Sequence, residues 1–323
     1  PPPQEHITNQ FTNKIGAKYE NISEKYKAIS NRHSTIHSGT LDVGRDGFIL
    51  DYAQYNYITL SGGNLTSSSG AINIHATAYM MNFFQIHDTI VDYGSQRVGL
   101  NITAAPRAFA LLEFNGLESN TFTKDTTLTG NVTIALVKPK GEIGISGNLN
   151  IREGAAVDIY QDEQIANHVR VVLSSRGDAS TLRFRWSSID KRTFTETLHE
   201  LVIEGNGAID FGSRDGSLHE ARFFYLDDLI IGDRSTLQVI DWQDGHDHLL
   251  VRKDSVHLED ALKKIKFMGY DHNKLQKGDY DSNFWEITPF PEPATYGSLF
   301  MAGTVSLSLL RRRQKARLGS SPS

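Results

Sequence analysis

Three stretches of the sequence align with one another without a gap. They are NLNIREGAAVDI at residues 148–159, ELVIEGNGAIDF at 200–211 and DLIIGDRSTLQV at 228–239. Each copy carries apolar residues at the same four positions, in two pairs whose members lie two residues apart. These residues are Leu149, Ile151, Val157 and Ile159, then Leu201, Ile203, Ile209 and Phe211, then Leu229, Ile231, Leu237 and Val239. The spacing indicates a strand, a polar turn of five residues and a second strand.

The repeat predicts the fold class. One copy cannot bury its own apolar row, whereas stacked copies bury the rows of their neighbours. We therefore expect an all-β chain with a β-solenoid body, similar to a parallel β-helix; a β-sandwich, whose strands also alternate, is the alternative. Looser copies start at Leu65, Leu100 and Val132. The residues expected to point inward in stacked rows are Leu149, Ile151, Leu201, Ile203, Leu229 and Ile231.

The composition of the flanks sets the expected boundaries. Residues 1–35 are polar and charged and are predicted to be an N-terminal segment or linker. The solenoid body is predicted over 36–270, because short runs rich in Val, Ile, Leu, Phe and Thr alternate there with turn residues. A polar linker is expected over 271–288, and a C-terminal segment with a single apolar helix over 289–317.

One helix is expected near the end of the body. Residues 255–269, SVHLEDALKKIKFMG, place Leu258, Leu262 and Ile265 on one helical face, and Ser255 is the candidate N-cap. The overlapping stretch KFMGY looks like the last strand. We therefore expect a C-terminal cap built from a short helix and a closing strand.

Composition and charge narrow the function classes. The 323 residues are 39% hydrophobic and 22% charged, which is enough for a sizeable core. Net charge is −5, and five of the 33 basic residues lie in the last segment, 311–323, which has no acidic residue. The body is therefore more acidic than the whole chain, which argues against nucleic-acid binding. The absence of cysteine excludes disulfides, zinc–thiolate sites and thiol catalysis.

The C-terminal stretch PFPEPATYGSLFMAGTVSLSLLRRRQKAR, residues 289–317, has three parts in strict order. A Pro-Glu-Pro turn is followed by an uncharged, mostly apolar run over 294–310 and then by a basic cluster. The 17 residues of the run make a helix of about 25 Å, which is short of the ~30 Å hydrocarbon core of a bilayer. The run is thus a marginal membrane span, with its basic end held in the cytoplasm. A buried helix with a solvated basic end is the alternative.

This order of parts resembles a PEP-CTERM sorting domain. The resemblance implies that Pro291, Glu292 and Pro293 form the segment recognised by an exosortase, a membrane-embedded protease. It implies that Arg311, Arg312 and Arg313, at the start of the basic cluster, act as the membrane stop. It also implies export in a Gram-negative-type bacterium, with a transient stay in the inner membrane through residues 294–310. The final location would be the cell surface or the extracellular matrix, in association with polysaccharide.

Two further features bear on this resemblance. The chain starts PPPQEHITNQ, with no basic region and no apolar run, so the resemblance implies a signal peptide that has been removed. The strand-rich body is similar, more weakly, to the repeat regions that precede such tails. In particular, STLQVIDWQDGHDHLLV and LEDALKKIKFMG resemble a terminal cap of a strand pair, a short helix and a closing strand. Nothing in the resemblance points to catalysis.

The densest group of ligand-type side chains is DWQDGHDH at 241–248. Asp244, His246 and His248 are the candidate metal ligands, since residues two apart share one face of a strand. The spacing fits no calcium loop and no helical zinc pair. We therefore expect a polar turn with no tight divalent cation, and we predict no cofactor.

Catalytic motifs are lacking in the sequence. Asp158, Asp162 and Glu163 lie close together in DIYQDEQ and could in principle contribute to a pair of acids. There is no glycine-rich phosphate loop, no Gly-x-Ser-x-Gly and no His-Glu-x-x-His. We therefore assign no catalytic residue and expect a non-enzymatic exported protein that acts in adhesion or polysaccharide association. The alternatives are a polysaccharide-degrading β-helix hydrolase or lyase and a self-assembling structural subunit.

Overall fold

A computed structural model describes residues 32–45, 47–50, 56–77, 81–185, 193–212, 221–271 and 275–290. Strands make up 58% of the structure and helix 3%, and the strands form a β-solenoid of about eight turns. The predicted all-β solenoid is therefore confirmed, together with its one short helix. The predicted C-terminal apolar helix and residues 1–31 lie outside the described residues.

The described residues form twenty strands. These are β1 Arg32–Asp42, β2 Phe48–Leu50, β3 Asn56–Thr66, β4 Ala71–Ala76, β5 Met81–Ile86, β6 Thr89–Ile90, β7 Gly99–Ala104, β8 Phe109–Phe114, β9 Thr126–Thr129, β10 Val132–Leu136, β11 Leu149–Arg152, β12 Ala156–Ile159, β13 Arg170–Phe184, β14 Phe194–Asp210, β15 Arg222–Ile231, β16 Thr236–Ile240, β17 Asp247–Arg252, β18 Ile265–Phe267, β19 Leu275–Asp279 and β20 Phe284–Pro289. Helix α1 spans Leu258–Ala261, and a 3-10 helix follows at Leu262–Lys264.

Parallel pairing arranges these strands on three faces. The first face contains β2, β4, β7, β9 and β11, followed by segments of β13, β14 and β15. The second begins with segments of β1 and β3 and continues with β5, β8, β10 and β12, then with segments of β13 and β14, and ends with β16 and β18. The third contains segments of β1, β3, β14 and β15 together with β6 and β17. Long strands such as β14 bend through all three faces.

The stacked apolar rows follow the predicted pattern. Ile151 pairs with Leu173, Leu173 with Ile203, and Ile203 with Ile231 across β11, β13, β14 and β15. All six residues predicted to point inward are buried. The rows fix the register of the first face, because a slip by one residue would turn every apolar side chain outward.

Between the first and second aligned copies, the solenoid contains one more turn, which the gapless alignment does not include. β13 lies between the first and second copies and supplies Val171, Leu173, Leu182 and Phe184 to the same rows. Its register shifts between Ser175 and Ser180, so extra residues separate its two apolar pairs. A search for a constant spacing cannot find a copy of this kind.

Two of the three looser copies begin on a different face from the three aligned copies, so their predicted alignment with them is wrong. Leu100 does belong to the first face, because β7 pairs with β9 and β9 with β11. Leu65, however, pairs with Ile90 on the third face, and Val132 pairs with Ala110 on the second. Apolar alternation is the same on every face, so it does not reveal which face a strand belongs to.

An inner column of aromatic rings fills the last turns. Phe184 stacks on Phe211 at 5.2 Å between ring centroids, and Phe211 meets Trp242 edge-on at 5.3 Å. Trp242 in turn meets Phe267 of β18 edge-on at 5.0 Å. Such ring pairs stabilise a fold by about 0.5–1.5 kcal/mol each beyond the burial of their area. The column therefore ties the closing strand to the body.

Buried polar side chains replace part of the strand pairing on the third face between β6 and β14. The Asn120 side chain accepts from the Ile90 N–H at 2.9 Å and donates to the Gly144 carbonyl at 2.7 Å. Further along, the two Glu196 oxygens accept from the N–H groups of Gln164 and Ile165 at 2.9 and 3.0 Å. These bonds satisfy buried backbone groups that a regular strand ladder would otherwise pair.

The C-terminal cap differs from the sequence-based expectation in two ways. The helix is one turn long and begins after His257, while Ser255 donates its hydroxyl to Asp228 Oδ1 at 2.5 Å and does not cap it. The segment 271–288 was expected to be a linker, but it contains β19 and most of β20. The β20 strand pairs antiparallel with both β17 and β19. A hairpin therefore closes the third face, and the 3-10 helix leads directly into β18.

The strand boundaries extend the predicted body at its start as well. β1 begins at Arg32, within the segment expected to be a linker. Among the described residues no helix is long and apolar enough to cross a bilayer. The sorting motif Pro291–Pro293, the apolar run 294–310 and the arginine cluster all lie outside the residues that the structure describes.

Candidate functional site

The acidic-histidine turn is divided between the interior and the surface. Asp247 points inward on β17 and accepts from Arg222 Nε at 2.9 Å, with both side chains buried. His248 points outward, 2.5 Å from Glu286 Oε1 on β20. Asp244 is exposed in the turn that precedes β17, and His246 is partly buried there. Strand alternation thus separates neighbouring side chains of this motif.

No metal centre forms around these side chains in the described part of the chain. No group of three or more His, Asp or Glu residues there is close enough to hold an ion. His248 is instead engaged by Glu286, and its ring stacks on Phe223 at 4.5 Å with an interplanar angle of 4°. The expectation that Asp244, His246 and His248 hold no tight divalent cation stays a prediction.

Of the other candidate acids, Asp158 is separated from Asp162 and Glu163. Asp158 lies on the second face, where Arg183 Nε is 2.5 Å and Arg185 Nε 3.5 Å from its oxygens. Asp162 accepts from the Thr195 N–H at 3.2 Å, at the edge of the third face. Glu163 accepts from the Thr197 hydroxyl at 3.0 Å, and burial raises the pKa of Glu163. Asp158 therefore lies apart from Asp162 and Glu163, whereas the negative charge of Asp162 adds to the raised pKa of Glu163.

The ring of His248 belongs to a larger aromatic cluster on the outside of the third face. We call it the aromatic platform, and it consists of Phe223, Tyr225, His248, Tyr280 and Phe284. Phe223 and Tyr225 lie two residues apart on β15, with 6.3 Å between their centroids and a 20° interplanar angle. Phe284 of β20 meets Tyr225 edge-on at 5.0 Å. Tyr280, at the hairpin turn, is 5.8 Å from His248 and 37% exposed.

Tyr225 is held in the platform by a hydrogen bond as well as by ring contacts. Burial, together with the hydrogen bond to Tyr280 and the nearby charge of Asp281, raises the pKa of Tyr225 to about 12. Its hydroxyl therefore stays protonated at every physiological pH. The hairpin that the sequence suggested was a linker supplies two of the five rings, so the platform exists only when β20 is docked on β17.

A polar groove adjoins the platform at the corner where the third face turns into the first. We call it the acidic groove; it has a volume of about 290 Å³ and is lined by His199, Asp227, Asp228, Arg252, Asp254, Ser255 and Val256. These side chains come from the corner residues of β14 and β15, from the last residue of β17 and from the loop that follows it. The platform and the groove together are called the C-terminal outer face.

The groove holds a network of charged hydrogen bonds. Arg252 donates to both oxygens of Asp254 at 2.9 and 2.8 Å and lies 3.7 Å from Asp227. His199 Nδ1 is 3.2 Å from Asp227 Oδ2. Asp228 accepts from Ser255 and lies 2.6 Å from His257 Nδ1. The Arg252 guanidinium lowers the pKa of Asp254, which is therefore ionised at neutral pH.

Strand register joins the platform to the groove. Phe223, Tyr225 and Asp227 alternate outward along β15 with inward residues. On β17, His248 pairs with Phe223, and the next outward position, Leu250, pairs with Tyr225. Of these residues, only His248 belongs to a motif that the sequence makes conspicuous, DWQDGHDH. Two outward aromatic residues at i and i+2 on β15 were the available signal, but the β14, β17 and hairpin partners are distant in sequence.

A second groove lies among earlier turns of the solenoid, at the corner to which Lys138 is bonded. It has a volume of about 380 Å³, and its lining comes from three successive turns at residues 62–64, 87–89 and 116–118. Lys138 is fully buried beside it and donates from Nζ to the Glu118 carbonyl at 2.7 Å. Burial lowers the pKa of Lys138 to about 8. The bonds to backbone carbonyls give this lysine a structural role in holding the 116–118 corner.

The fold and these surfaces define a parallel β-solenoid with an aromatic and acidic outer face at its C-terminal end. The chain matches no model of a known protein family, no curated protein and no solved structure.

Proposed function

We propose that this protein is an exported, non-enzymatic β-solenoid that binds polysaccharide through its C-terminal outer face. The aromatic platform is the observation that carries the proposal. Pyranose rings present apolar C–H faces, and aromatic side chains offer large, flat apolar surfaces that pack against such faces. An extended sheet face suits a chain of sugars, since it offers neighbouring contacts along one direction.

The acidic groove complements the platform. Sugar hydroxyls both donate and accept hydrogen bonds, and the groove offers carboxylate acceptors at Asp227 and Asp228 and a guanidinium donor at Arg252. Tyr225 and Asp227 lie two residues apart on one strand, so about 7 Å of backbone separates the stacking surface from the first carboxylate. A bound sugar could contact the ring and the carboxylate together.

The C-terminal segment supports a surface location for such a binder. In the proposed pathway, the apolar run 294–310 holds the chain in the inner membrane and Arg311–Arg313 stay in the cytoplasm. An exosortase-type protease then acts at Pro291–Pro293. β20 ends at Pro289, so the platform lies immediately before the cleavage segment in the sequence. Processing there would release a body whose binding surface is intact.

The closed C-terminal end favours binding over end-to-end assembly at that end. Helix α1 packs on β15, and the β19–β20 hairpin covers β17. The outer strand of the hairpin, β19, carries the charged side chains of Lys277 and Asp279, which discourage pairing with another sheet. A hydrolase with the same tail is the rival reading, and release of reducing ends from a bound polysaccharide would identify it.

A binding experiment tests the proposed function. The purified chain, kept in mild detergent because of the apolar run, is titrated with oligosaccharides of glucose, N-acetylglucosamine and glucosamine. The double variant Tyr280→Ala/Phe284→Ala should weaken binding by about five- to a hundredfold, since two stacking contacts of about 0.5–1.5 kcal/mol each are lost. Tyr93→Ala, at a tyrosine that is 44% exposed on another turn, is the matched control and should bind normally. Unchanged binding by the double variant would refute the platform as the binding surface.

Processing of the C-terminal segment is tested separately by mass spectrometry of the protein released from cells. In a host with an exosortase, released protein should end near Pro291–Pro293. Replacing Glu292 and its two flanking prolines by alanine should leave export intact and trap an unprocessed membrane-bound form. A released chain that still ends at Ser323 would show that the segment is not a sorting signal.

A further inference from the structure

We infer that the polysaccharide bound by the C-terminal outer face carries free amino groups, as in a polymer of glucosamine. The inference rests on the proposed function, because it names the ligand class of the same surface. It is drawn from the charge of the acidic groove together with the position of that groove beside the aromatic platform.

The C-terminal outer face carries more negative than positive charge. Its carboxylates outnumber its permanent cations, of which Arg252 is the one in the groove. The carboxylates are Asp227, Asp228 and Asp254 in the groove, Glu286 beside His248, and Asp281 near Tyr225. An anionic polymer such as a uronate would therefore be repelled here, whereas an ammonium group would be attracted.

The internal ion pairs leave this negative charge in excess. Arg252 is shared between Asp254 and Asp227, so one guanidinium faces two carboxylates. Asp228 is contacted by the Ser255 hydroxyl and by His257, neither of which is a permanent cation. Asp227 and Asp254 remain 39% and 70% exposed. Both side chains can therefore be approached by an ammonium group from the solvent, in addition to the contacts that they make with Arg252 and His199.

The platform gives such a ligand its second contact. A glucosamine ring that stacks on Tyr225 has its substituents at the ring edge, and Asp227 lies at the next outward position of the same strand. A sugar polymer with one ammonium per ring would meet the aromatic and acidic parts of the surface at once. Because the carboxylates are exposed, each pair should change affinity by about two- to fivefold, and salt should weaken the effect.

The test compares two ligands that differ only at nitrogen. Hexamers of glucosamine and of N-acetylglucosamine are titrated into the full chain by calorimetry at low and at high salt. The glucosamine hexamer should bind at least about tenfold more tightly at low salt, and most of this preference should vanish at high salt. A uronate oligomer should bind more weakly than either hexamer.

The triple variant Asp227→Asn/Asp228→Asn/Asp254→Asn should bring the affinities for the two hexamers to about the same value, and the ratio of the two affinities is the readout because the groove contacts both ligands. The control, Asp125→Asn/Glu153→Gln/Asp178→Asn, changes the net charge equally at exposed residues of other turns and should keep the preference. Equal binding of both hexamers, or tighter binding of the uronate, overturns the inference but leaves the proposed function standing. If no oligosaccharide binds, the proposed function itself fails.

Discussion

The first and third faces of the solenoid are built in different ways. On the first face, apolar side chains such as Ile151, Leu173 and Ile203 stack in rows, and the parallel ladder is continuous from β7 to β15. On the third face, the ladder is interrupted between β6 and β14. Buried polar side chains there bond to the backbone of adjacent turns.

The physical basis of register differs accordingly. Apolar rows fix register by volume and burial, which are not directional. Polar columns fix it by hydrogen bonds of defined length and angle, and an unmade bond in the interior is costly. The first face therefore tolerates changes of side-chain shape better, whereas the third depends on single atoms.

Gln164 shows this dependence most clearly. Its side-chain amide donates to the carbonyls of Pro139, Glu142 and Asp162 at 3.0–3.3 Å, and its oxygen accepts from the Lys138 N–H at 3.0 Å. One side chain thus connects the loops of two consecutive turns. The C-terminal outer face also belongs to the third face. The proposed binding surface therefore lies on the side of the solenoid where the strand ladder is irregular.

The largest effect is expected from Asp247→Ala. This change removes the buried carboxylate that faces the Arg222 guanidinium, and loss of one partner of such a pair costs about 3–5 kcal/mol of unfolding free energy. Chemical denaturation measures this loss as a lower midpoint, with the dependence of the unfolding free energy on denaturant concentration unchanged. Asp244→Ala, in the exposed part of the same turn, should stay within about 0.5 kcal/mol. A loss below 1 kcal/mol for Asp247→Ala would show that the pair contributes little.

Leu173→Ala tests the apolar rows. It leaves a cavity between Ile151 and Ile203 and should cost about 3 kcal/mol. The matched control is Leu117→Ala, since Leu117 is 80% exposed, and it should be nearly neutral. Equal denaturation midpoints for the two variants would contradict the placement of Leu173 in the core.

Gln164→Ala directly tests the buried polar side chains of the third face. It removes the partner of the Lys138 N–H and of the Glu142 carbonyl and should cost about 2 kcal/mol, mostly from these two groups left unsatisfied; the Pro139 and Asp162 carbonyls keep backbone donors. Gln276→Ala, on exposed β19, provides the comparison and should change the midpoint little. If the two glutamine variants behave alike, the column does not stabilise the third face.

The smallest effect is a pH dependence of stability due to Lys138. Its pKa is lowered from 10.5 to about 8 in the folded chain, so the unfolded chain binds more protons between these values. Stability should therefore rise as the pH increases from 8 towards 10.5, by at most about 1.4 kcal/mol for each pH unit. Lys138→Met should remove this rise in melting temperature, whereas Lys266→Met, at an exposed lysine, should keep it. A wild-type stability that falls over this range would contradict the lowered pKa.

The sequence by itself determined the fold class and the rows of the first two faces. Apolar residues two apart must share one side of a strand, and a repeat with a constant spacing can bury them only by stacking. Leu201, Ile203, Ile209 and Phe211 could therefore be assigned to the core from spacing alone. The interpretation of residues 289–317 as a sorting segment likewise rests on the order of residues, and it remains a proposal.

Only the tertiary structure decided which side chains meet on the third face. The turn through β13 was hidden because its two apolar pairs are separated by extra residues, and the hairpin was hidden because Leu275–Asp279 is polar on both sides. The aromatic platform combines β15, β17 and the hairpin, whose partners are fixed by register between turns. Local sequence encodes the alternation along one strand, whereas contact between strands depends on the length of each turn, and that length varies along the solenoid.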